Sequence, residues 1–600
     1  MPAIIATRLG DLPVLCRGSG HARAPVAWQP GRIILTAGHR LVAVPAALLL
    51  GMLICYVLPG NRRSLARLVA AGCIAASLAA LISVAALIFP SGQVEHSSGE
   101  LVPGIDLTLR AEPSGTVVLM LAATLALIAL LEGARRPLEQ AALLLCLLGT
   151  ALAALGGNAV LLFGGLEVGN VGAVLLSVAG GSRLSWRDRA GFTLQHITAL
   201  GLLVAALRLQ NQFETADFMS LPPGALGSAV AGAWAMSGVA RLVAGPGLAG
   251  ARGMSSSSAW TAVAAVPTGL LVLLRLLQVG GGDLPPGVGP LLMAAGLLIA
   301  ASGAVVAWRD AGNPMLAGRA LCTAMAGPVV FAAGISGGTG LGAFAAAGLA
   351  LCLAVAMAPA WGGGGTVGGG DAARWLRALA LALAAGVPIG YGAVALLVTA
   401  SAVATVGQLG APTSMAFGLI MIMMVGAGTL AARAALAGPA PHIARGSLRL
   451  DALVAVALGV AAGVVPGLVQ VTFVSAVVGD IGSPATAVDW MALRGAGGAW
   501  PAGYLTLAAV ICIAVVASVA VLLEWTTPHI TAGTESVVAH APGPMSPSRL
   551  WPAVQRVLGE ALPRLHHEMV WFDRFDEWMV PQPGFAALAV GAIVLLYVFR

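Results

Sequence analysis

Apolar stretches about twenty residues long recur along almost the whole chain. They fall at 41–58, 65–89, 115–132, 139–156, 158–179, 190–209, 224–244, 257–279, 288–307, 316–334, 339–361, 376–400, 413–437, 452–478, 503–523 and 584–599. Each is close to what a helix rising 1.5 Å per residue needs to cross the hydrocarbon of a bilayer. Only helices and closed barrels satisfy their own backbone there, and barrel strands would alternate polar with apolar. The expected fold is therefore all-α, a polytopic transmembrane helix bundle of about sixteen spans. Composition agrees, at 58% hydrophobic and 9% charged residues, and 80 glycines favour closely packed helices.

Charge orients the bundle. Arg62/Arg63, Arg135/Arg136, Arg183/Arg187/Arg189, Arg252, Arg309, Arg374/Arg377 and Arg445/Arg449 fall in alternate loops. The loops between them hold Glu95, Glu100, Asp106, Glu112, Glu214, Asp217, Asp283, Asp480 and Asp489. By the positive-inside rule the arginine loops are cytoplasmic and the N-terminus lies outside. The arginines of the N-terminal tail (Arg8, Arg17, Arg23) run against this, but seven loops agree. The expected setting is the inner (plasma) membrane, crossed many times, with the lipid bilayer as one partner and no nucleic acid. The seven cysteines are scattered and form no Cys/His cluster, so no metal, iron–sulfur or other cofactor site is expected. All 31 basic residues are arginines; there is no lysine.

Glu167 stands out. It sits near the middle of Asn158–Ser177, in a span that is otherwise apolar or small. A mid-bilayer acid costs several kcal/mol unless it is paired or faces water, and so reads first as functional. The plainer alternative is a neutral, hydrogen-bonded acid that ties helices together. Three other features need placing. Gly245-Pro246-Gly247 and Val387-Pro388-Ile389-Gly390-Tyr391-Gly392 are expected to interrupt helices, as broken helices do along ion paths, or to serve ordinary packing. Residues 362–370, nearly all glycine, read as a flexible loop, and 524–583 read as a helix on the membrane surface. His566-His567-Glu568 looks metal-like, but adjacent residues point different ways round a helix.

Several segments, taken in order, resemble the antiporter-like membrane subunits of respiratory complex I, and most closely the large membrane subunit of group 4 hydrogenases and formate hydrogenlyase. They are Leu107–Pro113, Leu166-Glu167-Val168, Ala190-Gly-Phe192 with Phe213–Phe218, Ser258-Ala259-Trp260 with Gly269 and Leu273-Leu274-Arg275, Val387-Pro388 with Gly392, and Phe572–Glu577 before a last helix. The resemblance implies a tail at 1–40, N-terminal helices at 41–133, antiporter-like inverted repeats at 137–279 (spans 4–8) and 288–440 (spans 9–13), further helices at 451–524, the surface segment at 525–583 and a last span at 584–600. It also implies a row of mid-membrane charges that move protons. Here Glu167 holds the span 5 position. The span 7 lysine falls near Met236–Gly238, the span 8 lysine at Pro267, the span 11 positions at Ala345, Leu349 and Leu353, and the span 12 acid near Leu396. Arginine stays protonated and cannot stand in for a titrating lysine. Arg241 is close enough to the vacated span 7 position to clamp Glu167. His196 in span 6 belongs to the residue type that changes charge near neutral pH, or is a helix-contact histidine.

The first reading is thus a diverged membrane-arm subunit of a complex I-like or hydrogenase-like oxidoreductase. Its partners would be other membrane and peripheral subunits, which carry the redox chemistry, and its own proton pathway would be Glu167, Arg241 and His196. The alternatives are a stand-alone proton or cation antiporter, a purely structural scaffold, and a membrane enzyme acting on lipid or glycan. The scarcity of charge in spans 7–12 weighs against the antiporter, and the lack of clustered polar groups weighs against the enzyme.

Overall fold

The computed structural model describes residues 37–91, 93–102, 105–131, 136–179, 186–222, 224–248, 259–335, 337–362, 371–387, 390–405, 410–437, 450–479, 493–495 and 498–500. The helices are α1 (Ala37–Val57), α2 (Arg63–Ser91), α3 (Pro113–Leu130), α4 (Pro137–Leu155), α5 (Ala159–Ala179), α6 (Trp186–Phe213), α7 (Ser228–Leu248), α8 (Thr261–Val279), α9 (Val288–Arg309), α10 (Pro314–Ala333) and α11 (Gly337–Ala356). They continue as α12 (Asp371–Ala384), α13 (Tyr391–Thr405), α14 (Gly410–Ala437) and α15 (Leu450–Val464). Among the described residues, 11 helices are long and apolar enough to cross a membrane, and one bent pair brings the number to 12. The expected spans 1–11 fall on α1–α11, but α7 is not among the 11 long and apolar helices, which instead include α14. The expected spans at 503–523 and 584–599, the surface segment and the N-terminal tail lie outside the described residues.

Helix ends follow local chemistry. Pro113, Pro137 and Pro314 each occupy a first-turn position, where a missing N–H costs nothing. Between α4 and α5 the chain turns at Gly156-Gly157. Asn158 then caps α5, its Oδ1 accepting from Leu161 N at 2.8 Å while its Nδ2 donates to Asp106 O at 2.7 Å.

Two helix pairs are lined by glycine. A Cβ added at Gly165 would stand 2.7 Å from Gly149 O, and one at Gly327 would stand 2.5 Å from Gly296 O. The backbones of α4 and α5, and of α9 and α10, therefore approach as closely as small residues allow. The pairing of α4–α5, α5–α6 and α7–α8 recurs five spans later as α9–α10, α10–α11 and α12–α14.

Three local expectations change. Gly245-Pro246-Gly247 does not break a helix: α7 runs through it to Leu248. The motif forms the last turn, where carbonyls lack helical partners, and Thr261 Oγ1 donates to Gly245 O at 3.1 Å. Span 14 is not one straight helix. It bends by 96° between Leu450–Val464 and Pro466–Val478, at Val465, whose φ of −118° and ψ of 60° are not helical. The acidic segment before α3 is not simply a loop. Residues Val94–Val102 (β1) and Ile105–Ala111 (β2) pair as an antiparallel hairpin. In span 12 the interruption is present: α12 ends at Ala384, Gly386 takes a φ of +80°, and α13 begins at Tyr391. Pro388 and Ile389 themselves lie outside the described residues.

Candidate functional site

Glu167 lies two turns into α5, with Asn170 on the same face three residues later. The Asn170 amide donates Nδ2 to Glu167 Oε1 at 3.0 Å and accepts at Oδ1 from Arg241 Nη1 of α7 at 3.1 Å. On the other side, His196 Nδ1 of α6 lies 2.7 Å from Glu167 Oε2. A continuous chain therefore runs His196–Glu167–Asn170–Arg241 across three helices. The structure brings together all three residues expected from the sequence. It changes the expected direct clamp: Asn170 stands between the two charges.

The chain has an exposed end and a buried end. The His196 and Glu167 side chains are 46% and 24% exposed, and α6 also exposes Leu194, Ile197, Leu200, Val204 and Leu207. Arg241 is buried, and its Nε and Nη2 find no partner among the described residues. Nor do Ser237 Oγ, one turn before it, or the amide of Gln195, both buried. The carboxylate and imidazole can exchange a proton across one hydrogen bond, while the guanidinium supplies a fixed positive charge.

The remaining positions of the implied charge row are apolar. Ala345, Leu349 and Leu353 on α11 and Leu396 on α13 are buried in the core. Pro267 cannot donate to the carbonyl four residues back, Val263 O, and α8 opens on a π turn, Thr261–Ala265. Thr150 Oγ1 of α4 donates to Val263 O instead, at 2.9 Å.

A second polar group was not singled out as a site from the sequence. Arg110 of β2 grips Asp217 through two bonds, Nη1–Oδ1 at 2.7 Å and Nη2–Oδ2 at 2.9 Å, and Nε donates to Glu95 at 3.2 Å. Burial pulls the Arg110 pKa down, but hydrogen bonding and charge from Asp217 and then Glu95 outweigh it, leaving the pKa above the usual arginine value. Beneath it, Arg275 of α8 donates to Glu112, to Gln278 Oε1 at 2.8 Å and to Ala154 O at 3.1 Å, and stacks 5.2 Å from the Phe218 ring. Leu107–Pro113, Phe213–Phe218 and Leu273–Arg275, three segments that carry the resemblance, thus meet in one charged knot. Among the described residues no group of three or more His, Cys, Asp or Glu could hold a metal ion.

No family model matches the sequence, and comparison with curated proteins gives no match. Solved structures do match. A chain of the Mrp complex from Dietzia sp. superposes with a TM-score of 0.64 at 18% identity, over 92% of this chain and 63% of that one. The chain has the antiporter-like membrane-subunit fold. A chain of the membrane-bound sulfane sulfur reductase, an archaeal respiratory membrane complex, gives a TM-score of 0.63 at 16% identity, over 93% of this chain and 99% of that one. A chain of respiratory complex I from Thermus thermophilus gives 0.58 at 15% identity, over 74% and 100%. This antiporter-like chain thus spans under two thirds of the Mrp chain and nearly the whole of the other two.

Proposed function

We propose that this chain is a membrane-arm subunit of a multi-subunit oxidoreductase, complex I-like or group 4 hydrogenase-like, and that its one working proton site is Glu167 with His196. The observation that carries the reading is the 2.7 Å Glu167–His196 contact at the accessible end of a chain fixed by buried Arg241. Glu167 releases or takes up the proton, His196 passes it to or from the exposed face, and Arg241, acting through Asn170, supplies a fixed positive charge behind the carboxylate. Gln195, Ser237 and the free edge of Arg241 offer the buried polar atoms that ordered water satisfies. Spans 8–12 contribute packing rather than proton transfer, because the positions implied there are Pro, Ala and Leu.

Membership of an assembly follows from the same exposure. A carboxylate–imidazole pair on an otherwise apolar face is costly against acyl chains, and a neighbouring membrane subunit offering hydrogen bonds removes that cost. All three neighbours described above belong to complexes, by their descriptions. The test is purification in mild detergent followed by proton uptake in inverted vesicles. Co-purifying membrane subunits, with uptake reduced roughly tenfold or more in His196→Gln, are expected. A chain that purifies alone and takes up protons in exchange for another cation would favour the stand-alone antiporter.

A further inference from the structure

The guanidinium of Arg377 has no counter-ion among the described residues. It lies in the second turn of α12, half-buried, with Nε shut off from solvent and unbonded. Among the described residues it makes no hydrogen bond and no ion pair. Other arginines of the chain are handled differently: Arg110, Arg275 and Arg309 each meet a carboxylate. A half-buried cation without an anion is costly unless something outside the chain supplies the charge.

Its surroundings indicate what that is. Arg374 lies one turn before it on α12, and Trp375 beside it is 64% exposed. α12 packs against α10, the helix two spans earlier, which carries Arg319 in its own second turn. The apolar run of the span begins at 376, so these three arginines stand at the depth where headgroups meet hydrocarbon. An exposed tryptophan is at home in that layer, and basic pockets between helices there bind anionic headgroups. A guanidinium matches a phosphate oxygen pair in two parallel bonds.

We infer that Arg377, with Arg374, Arg319 and Trp375, forms a binding site for the phosphate of an anionic phospholipid. The acyl chains would lie along the apolar surface below and the Trp375 ring against the glycerol region. The occupant is a lipid rather than a soluble anion because the site opens at the bilayer boundary beside an exposed aromatic.

The test uses the full-length chain, delipidated and returned to nanodiscs of phosphatidylcholine with and without phosphatidylglycerol, with bound lipid measured by native mass spectrometry. Wild type is expected to retain phosphatidylglycerol in preference to phosphatidylcholine, and Arg377→Gln to lose that preference by roughly tenfold, as loss of a charge-assisted bidentate contact predicts. Millimolar inorganic phosphate should leave the lipid in place. Displacement by phosphate would overturn the lipid assignment in favour of a soluble anion, and equal retention by Arg377→Gln would overturn the site. If Arg377→Gln does not yield folded protein, Trp375→Ala and Arg374→Gln carry the test. A weakened preference in both supports the site, and an unchanged preference in both overturns it.

Discussion

Asn170 decides how the mid-membrane acid is wired. Were Arg241 bound directly to Glu167, the pair would be a closed clamp; with the amide between them, the carboxylate keeps one oxygen for His196. Asn170→Leu leaves the Arg241 guanidinium with no bond among the described residues. It is expected to lower stability by about 1.5–3 kcal/mol, the worth of a hydrogen bond to a charged group, read as an earlier unfolding midpoint in detergent. Glu167 was legible in the sequence because a lone acid in an apolar span is rare, and His196 and Arg241 because they lie on neighbouring spans. Asn170 was not recognised, although its spacing of three from Glu167 places it on the same helical face, because an asparagine in a glycine-rich helix carries no charge to draw notice. Arg110 shows the converse. Its raised pKa means that its contribution to stability is complete below the ordinary arginine value and is lost only as pH rises through the still higher folded value. Between pH 6 and 10 it therefore stays charged, and Arg110→Gln should shift the unfolding midpoint by the same amount at both ends of that window. A shift that shrinks toward pH 10 would contradict this.

At the scale of elements, polar side chains repair what the helices leave open. Pro267 cannot donate to Val263 O, which Thr150 satisfies across the helix pair. Thr150→Val is expected to cost about 1–2 kcal/mol, since it removes the donor and leaves a buried carbonyl unpaired. The buried Glu112–Arg275 pair joins α3 to α8 and, through Gln278 and Ser114, closes one end of the bundle. Arg275→Met should destabilise by about 3–5 kcal/mol because it strands Glu112, whereas the double substitution with Glu112→Met should recover most of that loss. Unfolding of the three variants in parallel measures it. The hairpin was less legible than the helices. β2 does alternate, Ile105, Leu107, Leu109 and Ala111 against Asp106, Thr108 and Arg110. Its partner β1, Val94-Glu-His-Ser-Ser-Gly-Glu-Leu-Val102, does not, and charge alone suggested a loop. The interruption at span 12 was visible as Pro388, while the one expected at Pro246 fell in a last turn that tolerates it.

The whole molecule was the most legible level, because helix length in a membrane is set by bilayer thickness and apolar runs report it directly. The charged knot of Arg110, Asp217, Glu112 and Arg275 joins segments far apart in sequence. What sequence alone could not supply was which charges face each other. On the proposed function, proton transfer is confined to α5–α7, where Glu167 and His196 meet, and the helices that follow contribute packing. That claim is tested most directly by proton uptake in inverted vesicles holding the intact assembly, comparing wild type with Glu167→Gln and Glu167→Asp. A loss of coupled uptake in Glu167→Gln by a hundredfold or so, with normal assembly and partial activity in Glu167→Asp, is the predicted result. Uptake and assembly both unchanged in Glu167→Gln would contradict the account and leave the chain a scaffold.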